Sequence, residues 1–475
     1  MSEGTPTPPL GETRILKNIG IVFSSDGVTK VTTFILSIIL AKTLPPSDIG
    51  IYAYAVSLTT ILAYVMDFGI NTWILNEGRR ERDYLAGSFY KIIKIKSLLF
   101  VVFIASVFAV SGLMFGKKNI SVVLALFCLM QFSNSIFLYN LSVYRTLLKF
   151  NIELYLRMGY QLSMLFLCGF IIISTSDLVS FIATLLVTNI SWTVISFVLI
   201  NKNLRTHKKQ AETFTMKKVL SFSLPYFLIT LLPVMLMQSD IIMMSLLSSD
   251  ASTGIYKISF NFFLMISLIS FAFFGVYQPS FTTLSVSHQD AYNEKFSRGL
   301  YNLILILAPT CLLCGTYATE ILTLVYGAAY AEAGLCVKYL VVASFLCGIT
   351  AYCGITLLHK KKFIALFSIS ASSLTVLLSL NATLIPLFGI NGAGISRVFE
   401  QLFLITAHMA VIIRYVKGFV TFKNFSLIFF SWLFVAAAVA SSVFLDNSFA
   451  LGFLNIIIPL TCLFLLYRSL KAMDA

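Results

Sequence analysis

The chain has 475 residues, of which 58% are hydrophobic, 14% aromatic and only 11% charged, with a mean hydropathy of +0.90 and a formal net charge of +14. A water-soluble surface needs roughly a quarter of its residues charged, so the composition excludes a soluble globular protein and equally a disordered or nucleic-acid-binding one. It indicates an all-α polytopic membrane protein.

The predicted elements begin after a polar N-terminus. Residues 1–18 are Pro-rich and lack the apolar core and cleavage site of a signal peptide, so we expect a short cytoplasmic segment there. A bilayer core of about 30 Å needs about 20 apolar residues in a helix. Fourteen segments meet this requirement: 19–41, 49–74, 91–115, 120–144, 155–175, 178–200, 219–247, 254–279, 299–318, 333–358, 363–384, 390–413, 424–444 and 449–467.

The basic residues predict the orientation of these segments. Of the 34 Lys and Arg, 27 fall in the terminal segments, in every second loop or within the first six residues of the helix that follows such a loop, and only three fall in the alternate loops. This asymmetry places the 27 and both termini in the cytoplasm. Four bases remain inside the predicted helices, namely Lys30, Lys257, Lys338 and Arg397.

A weak internal repeat predicts the organisation of the helices. Gly50-Ile51-Tyr52 and Gly254-Ile255-Tyr256 lie 204 residues apart, each after a turn rich in Ser and Asp. Six helices fit within this offset, and an even number makes the repeat parallel, about an axis along the membrane normal.

We therefore predict two six-helix lobes, as in transporters that place a substrate site between lobes. The N-lobe is 19–200 (helices 1–6), the cytoplasmic basic linker 201–218, the C-lobe 219–413 (helices 7–12) and the extra pair 424–467 (helices 13 and 14). The loops are too short for a catalytic domain and carry no Walker A, HExxH or GxSxG motif. We predict a transporter with no catalytic residue, no metal ligand and no cofactor, so a polytopic glycosyltransferase or polymerase is disfavoured.

Four stretches carry a family resemblance. They are ILAKTLPPSDIGIYAYAVSLTTILAYVMDFGINTWI at 39–74, the end of helix 6 with its basic loop, VYGAAYAEAG at 325–334 and LNATLIPLFGINGAGIS at 380–396. The chain resembles the bacterial polysaccharide transporters, the O-antigen and capsule flippases of the multidrug/oligosaccharidyl-lipid/polysaccharide (MOP) exporter superfamily. Fourteen helices resemble the lipid II flippases of the same superfamily, where the extra pair forms a groove for lipid.

The resemblance implies a function in the bacterial inner membrane. A member moves an undecaprenyl-pyrophosphate-linked oligosaccharide, the repeat unit of O-antigen, capsule or exopolysaccharide, from the cytoplasmic to the periplasmic leaflet by alternating access. Its partners are membrane lipids, a polysaccharide polymerase and a chain-length regulator, with no nucleic acid. Energy comes from a coupling ion, H⁺ or Na⁺, or from the substrate. The alternative is a cation-coupled exporter of small molecules, from the multidrug branch of the superfamily.

Charged residues inside the membrane are candidates for the substrate cavity, because each costs roughly 2.5–3.5 kcal/mol on insertion scales. Asp26 and Lys30 are four apart in helix 1, and Arg397 and Glu400 three apart in helix 12, so each pair shares a helix face. Each pair either neutralises itself or contacts substrate. With the family substrate in mind, Arg397 is the first choice for the pyrophosphate and Lys30 the second, because Arg binds phosphate bidentately. Arg397→Ala is then expected to abolish export without affecting insertion.

Three further charges are interpreted as gate or structural residues. Asp67, in the sequence Asp-Phe-Gly, lies toward the cytoplasmic end of helix 2, where a hydrogen-bonded helix end is favoured over substrate contact. Asp240 and Lys257 lie near one outer turn between helices 7 and 8, which indicates a structural pair or an outer gate. The four acids Asp26, Asp67, Asp240 and Glu400 equal the four intramembrane bases in number, which favours an anionic or zwitterionic substrate over a cationic drug.

Two prolines interrupt helix 7. Pro225 and Pro233 remove backbone hydrogen bonds, so bends are expected at both positions. We predict that helix 7 changes its bend between inward-open and outward-open states; static kinks that shape packing are the alternative.

Overall fold

A computed structural model describes residues 12–78, 82–114, 120–204, 215–284, 289–359 and 362–415. Most of the predicted N-terminus and linker, and the whole helix pair at 424–467, lie outside these residues. The described part is almost entirely α-helical and contains no β-strand. Its helices are α1 (Glu12–Thr43), α2 (Pro46–Asp67), α3 (Ile70–Glu77), α4 (Arg82–Met114), α5 (Ile120–Thr146), α6 (Phe150–Ser163), α7 (Gly169–Thr175), α8 (Leu178–Leu204), α9 (Met216–Leu247), α10 (Asp250–Leu284), α11 (Gln289–Thr316), α12 (Ala318–Tyr326), α13 (Gly334–His359) and α14 (Phe363–Tyr415).

The helix lengths confirm a multi-pass membrane protein. Within the described ranges, ten helical stretches are long and apolar enough to cross a membrane. Each of the first twelve predicted segments falls on a helix. Two of them, 363–384 and 390–413, are joined in α14 at Gly389, whose φ of 56° and ψ of −131° are not helical. Only glycine adopts such a conformation without strain, so the two segments meet there with a change of direction.

The chain divides into two compact units. The first takes the chain up to Thr43 and then Thr59–Thr230, and the second takes Leu44–Leu58 and the chain from Leu231 onward. A core around Trp73, Phe89 and Tyr139 fills the first unit. In the second unit the core forms around Tyr256, Phe263 and Leu340.

The two copies of the Gly-Ile-Tyr repeat meet in the second unit. A Cβ atom on Gly50 would lie 1.9 Å from the carbonyl oxygen of Asp250, and one on Gly254 would lie 1.9 Å from that of Pro46. The first turns of α2 and α10 therefore touch backbone to backbone, each through the glycine of its own repeat. No side chain fits at either position.

This contact gives the first testable prediction. Gly50→Ala is expected to lower the stability of the second unit by about 1–3 kcal/mol, because backbone atoms must move apart to admit the methyl group. The matched control is Gly27→Ala in α1, where a Cβ meets no atom within 4 Å. The melting temperatures of the purified variants in detergent measure the difference. Equal melting of the two variants would show that the α2–α10 contact contributes nothing to stability.

Helix 2, predicted as one segment at 49–74, is interrupted at Phe68 and Gly69. Both residues have positive φ angles, 48° and 72°, and they separate α2 from α3. The Phe68 ring stacks on Phe227 with centroids 4.9 Å apart. A Cβ on Gly69 would lie 2.4 Å from the backbone nitrogen of Phe227. The prediction of a continuous helix was wrong because close packing against α9 holds two successive residues in the left-handed region.

Candidate functional site

The first unit contains a polar cavity of about 420 Å³. This volume lies within the range of roughly 300–1,000 Å³ that is typical of ligand sites. Helices α2, α3, α5 and α6 supply its walls. The lining residues with charged or amide side chains are Asp67, Asn71, Gln131, Asn134, Arg145, Glu153 and Arg157. Such a concentration of polar groups inside a membrane protein marks a functional site by default.

The carboxylate of Asp67 lies at the cavity wall and is paired with a buried lysine. Lys96 of α4 is 0% exposed and places its Nζ 2.5 Å from Asp67 Oδ1 and 2.8 Å from Ser135 Oγ. The break after Asp67 ends α2 at this point. Lys96 therefore holds the carboxylate in a fixed position, and Asp67 and Ser135 satisfy the lysine.

Two arginines and one buried glutamate form a second group of charges in the cavity. Glu153, in the first turn of α6, is 4% exposed and accepts hydrogen bonds from Arg145 Nε at 3.0 and 3.1 Å and from Arg157 Nη2 at 3.2 Å. The arginines remain 27% and 20% exposed. One carboxylate thus orients two guanidinium groups that both line the cavity, and the three side chains carry a charge of +1 together.

Neutral amides line the same cavity. Gln131 and Asn134 lie three residues apart on α5 and so share one face. Gln131 Nε2 donates to Thr60 Oγ1 at 3.2 Å. Asn71 on α3 contributes a third amide, whose Oδ1 is buried and has no hydrogen-bond partner among the described residues. The cavity therefore combines hydrogen-bond donors and acceptors with two cations.

In the second unit, Arg397 lies at the centre of a buried network. It is 1% exposed, and its Nε and Nη2 donate to Asp240 Oδ2 at 2.9 and 2.5 Å. Glu400 Oε2 lies 3.5 Å from Arg397 Nη1. The guanidinium also lies over the ring of Phe260, 5.5 Å from its centroid. A group so enclosed is not accessible to a ligand in this conformation.

The partners of the network are buried as well. Asp240 accepts a hydrogen bond from the Tyr256 hydroxyl at 2.7 Å and one from Asn381 Nδ2 at 2.8 Å. Glu400 accepts one from Ser373 at 2.7 Å and one from Gln401 at 2.9 Å. Charged hydrogen bonds therefore join four helical segments, namely α9, α10 and the parts of α14 before and after Gly389.

The structure places the remaining predicted residues as follows. The network corrects the predicted pairing of Asp240 with Lys257, because Asp240 bonds to Arg397 while Lys257 lies half-buried about two turns into α10. Lys30 is exposed, and the side chain of Asp26 lies outside the described residues. Helix α9 runs through Pro225 and Pro233 as one helix, and its bending between states stays a prediction.

The sequence did not reveal three charged residues of the cavity wall, Arg145, Glu153 and Arg157, nor Lys96, which lies behind the wall and pairs with Asp67. The orientation argument places Lys96 among the cytoplasmic bases, whereas the structure buries it fully within α4. Two patterns in the sequence indicate these ion pairs. Asp67 had no base on its own helix, and Glu153 with Arg157 has the i, i+4 spacing of a helical ion pair.

A membrane-spanning helical fold with a polar cavity inside a helical unit is typical of membrane transporters. Residues 15–285 match the family described as "Polysaccharide biosynthesis protein", and the chain belongs to this family. This confirms the predicted membership of the MOP superfamily. No curated protein matches the sequence.

Solved structures share the fold. The inward closed conformation of lipid II flippase MurJ superimposes with a TM-score of 0.69 at 14% identity, over 95% of this chain and 100% of that one. The MATE multidrug transporter DinF-BH, solved with a bound ligand, gives 0.63 at 13% identity, over 88% and 99%. A multidrug resistance MATE family transporter of the MOP superfamily, in an inward-facing conformation, gives 0.62 at 11% identity, over 81% and 94%. At these identities the likeness establishes the fold alone.

Proposed function

We propose that the protein is a flippase that moves a polyprenyl-diphosphate-linked oligosaccharide across the bacterial inner membrane, from the cytoplasmic to the periplasmic leaflet. The observation that carries this proposal is the pair Arg145 and Arg157, held on buried Glu153 inside a polar cavity. The family and the likeness to a lipid II flippase support it.

The chemistry of the arginine pair suits a diphosphate. Guanidinium groups bind phosphate oxygens with two parallel hydrogen bonds, and such charge-assisted bonds are roughly twice as strong as neutral ones. The orientation predicted from the basic residues puts the end of α5 and the start of α6 on the cytoplasmic side. A lipid diphosphate entering from the inner leaflet would meet these arginines first, while its isoprenoid tail stays in the bilayer.

The position of the charges disfavours export of a cationic drug. In the cavity, both carboxylates are paired with bases, Asp67 with Lys96 and Glu153 with two arginines. A cation entering the cavity would have to displace one of these bases. The proposal includes no cofactor, and coupling to H⁺ or Na⁺ stays a prediction.

Depletion of the protein tests the proposal. We expect lipid-linked oligosaccharide to accumulate on the cytoplasmic face, measured by accessibility to a membrane-impermeant glycosidase in right-side-out and inverted membrane vesicles. Depletion of an unrelated multi-pass transporter is the control. An unchanged distribution of the glycolipid, together with increased sensitivity to cationic drugs, would instead establish the small-molecule exporter.

A further inference from the structure

We propose that the amide-lined part of the cavity is an oligosaccharide subsite in which Gln131, Asn134, Asn71 and the Asp67 carboxylate bind sugar hydroxyl or acetamido groups. This inference rests on the proposed function and adds which chemical groups of the substrate this part of the cavity recognises. The arginine pair would then hold the diphosphate, and the amides would select the glycan.

Asn134 is the first observation behind the proposal. It lies midway along α5, lines the cavity, and makes no hydrogen bond to any described residue. An amide without a partner in a membrane-spanning segment costs several kcal/mol. The side chain therefore needs water or a ligand, and a more apolar residue would serve better if packing alone decided this position.

The second observation is the mixture of groups around Asn134. Asn71 and Gln131 provide donors and acceptors, whereas the ionised carboxylate of Asp67 only accepts and is fixed by Lys96. A sugar hydroxyl both donates and accepts one hydrogen bond, so it can pair with an amide and a carboxylate at once. Phosphate oxygens only accept and would be repelled by Asp67. The amide part thus fits sugar better than diphosphate.

The spacing along α5 indicates which part of the glycan reaches the amides. Arg145 follows Asn134 by 11 residues, which corresponds to about 16 Å along a helix. Ser142 and Leu138 line the wall between them. With the diphosphate on the arginine pair, the amides would contact sugars beyond the first ring. The subsite would therefore recognise an oligosaccharide rather than a single sugar.

Binding measurements with two lipids test the subsite. The probes are undecaprenyl diphosphate and the lipid-linked oligosaccharide extracted from depleted cells, each titrated against purified full-length protein in detergent. We expect the wild type to bind the glycosylated lipid at least about tenfold more tightly than the bare one, which corresponds to about 1.4 kcal/mol. Asn134→Leu and Gln131→Leu should bring the two affinities within about threefold, with the affinity for the bare lipid unchanged.

Two further variants separate the possible causes. Arg157→Gln should weaken the binding of both lipids by the same factor. Asn76→Leu, at an exposed position of α3, should change neither affinity. Because leucine makes a membrane helix more apolar, a loss of binding in Asn134→Leu cannot come from failed insertion.

The outcomes distinguish the subsite from the function. Equal binding of both lipids by the wild type, or a tenfold preference retained in Asn134→Leu and Gln131→Leu, overturns the subsite while leaving the flippase proposal standing. Binding of neither lipid contradicts the flippase proposal itself.

Discussion

Arg397→Met is expected to destabilise the second unit by about 3–5 kcal/mol, the usual cost of removing one partner of a buried ion pair. The variant leaves Asp240, which is 0% exposed, without its base and removes a donor to the carbonyl oxygen of Leu236. A lower melting temperature in detergent and a lower amount of protein in the membrane should both report the loss. This replaces the expectation, drawn from the sequence, of normal insertion.

A paired exchange shows whether the effect comes from the charge. Asp240→Asn combined with Arg397→Met removes both charges of this pair and leaves an amide oxygen that can accept from Tyr256, but Glu400, 3.5 Å from Arg397 Nη1, still loses its base. Buried ion pairs replaced together are often neutral in stability, so the loss that comes from Asp240 should be recovered and the part that comes from Glu400 should remain. Arg298→Met is the control, because Arg298 and Glu294 form an exposed pair worth at most about 1 kcal/mol.

Transport by the paired variant separates the two interpretations of Arg397. Recovery of both stability and transport would establish a purely structural role. Recovery of stability without transport would show that Arg397 reaches substrate in another conformation. An Arg397→Met protein that melts like the wild type contradicts the network as a source of stability.

Arg157→Gln is expected to lower transport of the lipid-linked oligosaccharide roughly 10- to 100-fold, since a hydrogen bond to a charged group contributes about 1.5–3 kcal/mol. The substitution should not disturb Glu153, because Arg145 still donates to this carboxylate through its Nε and no buried carboxylate is left unpaired. Arg157→Lys keeps the charge but loses the forked geometry, so its transport rate should lie between those of the wild type and Arg157→Gln.

The measurement is the rate of glycolipid movement in proteoliposomes, normalised to the amount of folded protein. Arg298→Gln, again at an exposed pair with the same i, i+4 spacing, should transport at the wild-type rate. If Arg157→Gln also transports at that rate, the arginine pair is not where the diphosphate binds.

The helices could be predicted from the sequence because the bilayer sets their length. An apolar run of about 20 residues is visible without knowledge of any neighbour, and all twelve predicted segments in the described part fall on helices. The Gly50 and Gly254 repeat was equally visible. Their reciprocal contact was not, because it depends on where α2 and α10 begin in space.

The charged site was harder to predict for the same physical reason. Spacing reveals ion pairs within one helix, such as Arg397 with Glu400 or Glu153 with Arg157. Pairs between helices leave no such pattern. Asp67 with Lys96 is 29 residues apart and Asp240 with Arg397 is 157 apart, so only the packed structure shows which acid meets which base.

The separation of Asp240 from Arg397 along the chain also sets an order of assembly. At an elongation rate of about 5–20 residues per second, the arginine is synthesised roughly 8–30 s after the acid. During that time Asp240 can accept a hydrogen bond from the Tyr256 hydroxyl, 16 residues later, and shortly before the arginine from Asn381, 141 residues later. The ion pair can close only when the second half of α14 enters the membrane. A nascent chain that stops before Arg397 therefore keeps Asp240 in the bilayer without its base, which distinguishes it from a finished protein.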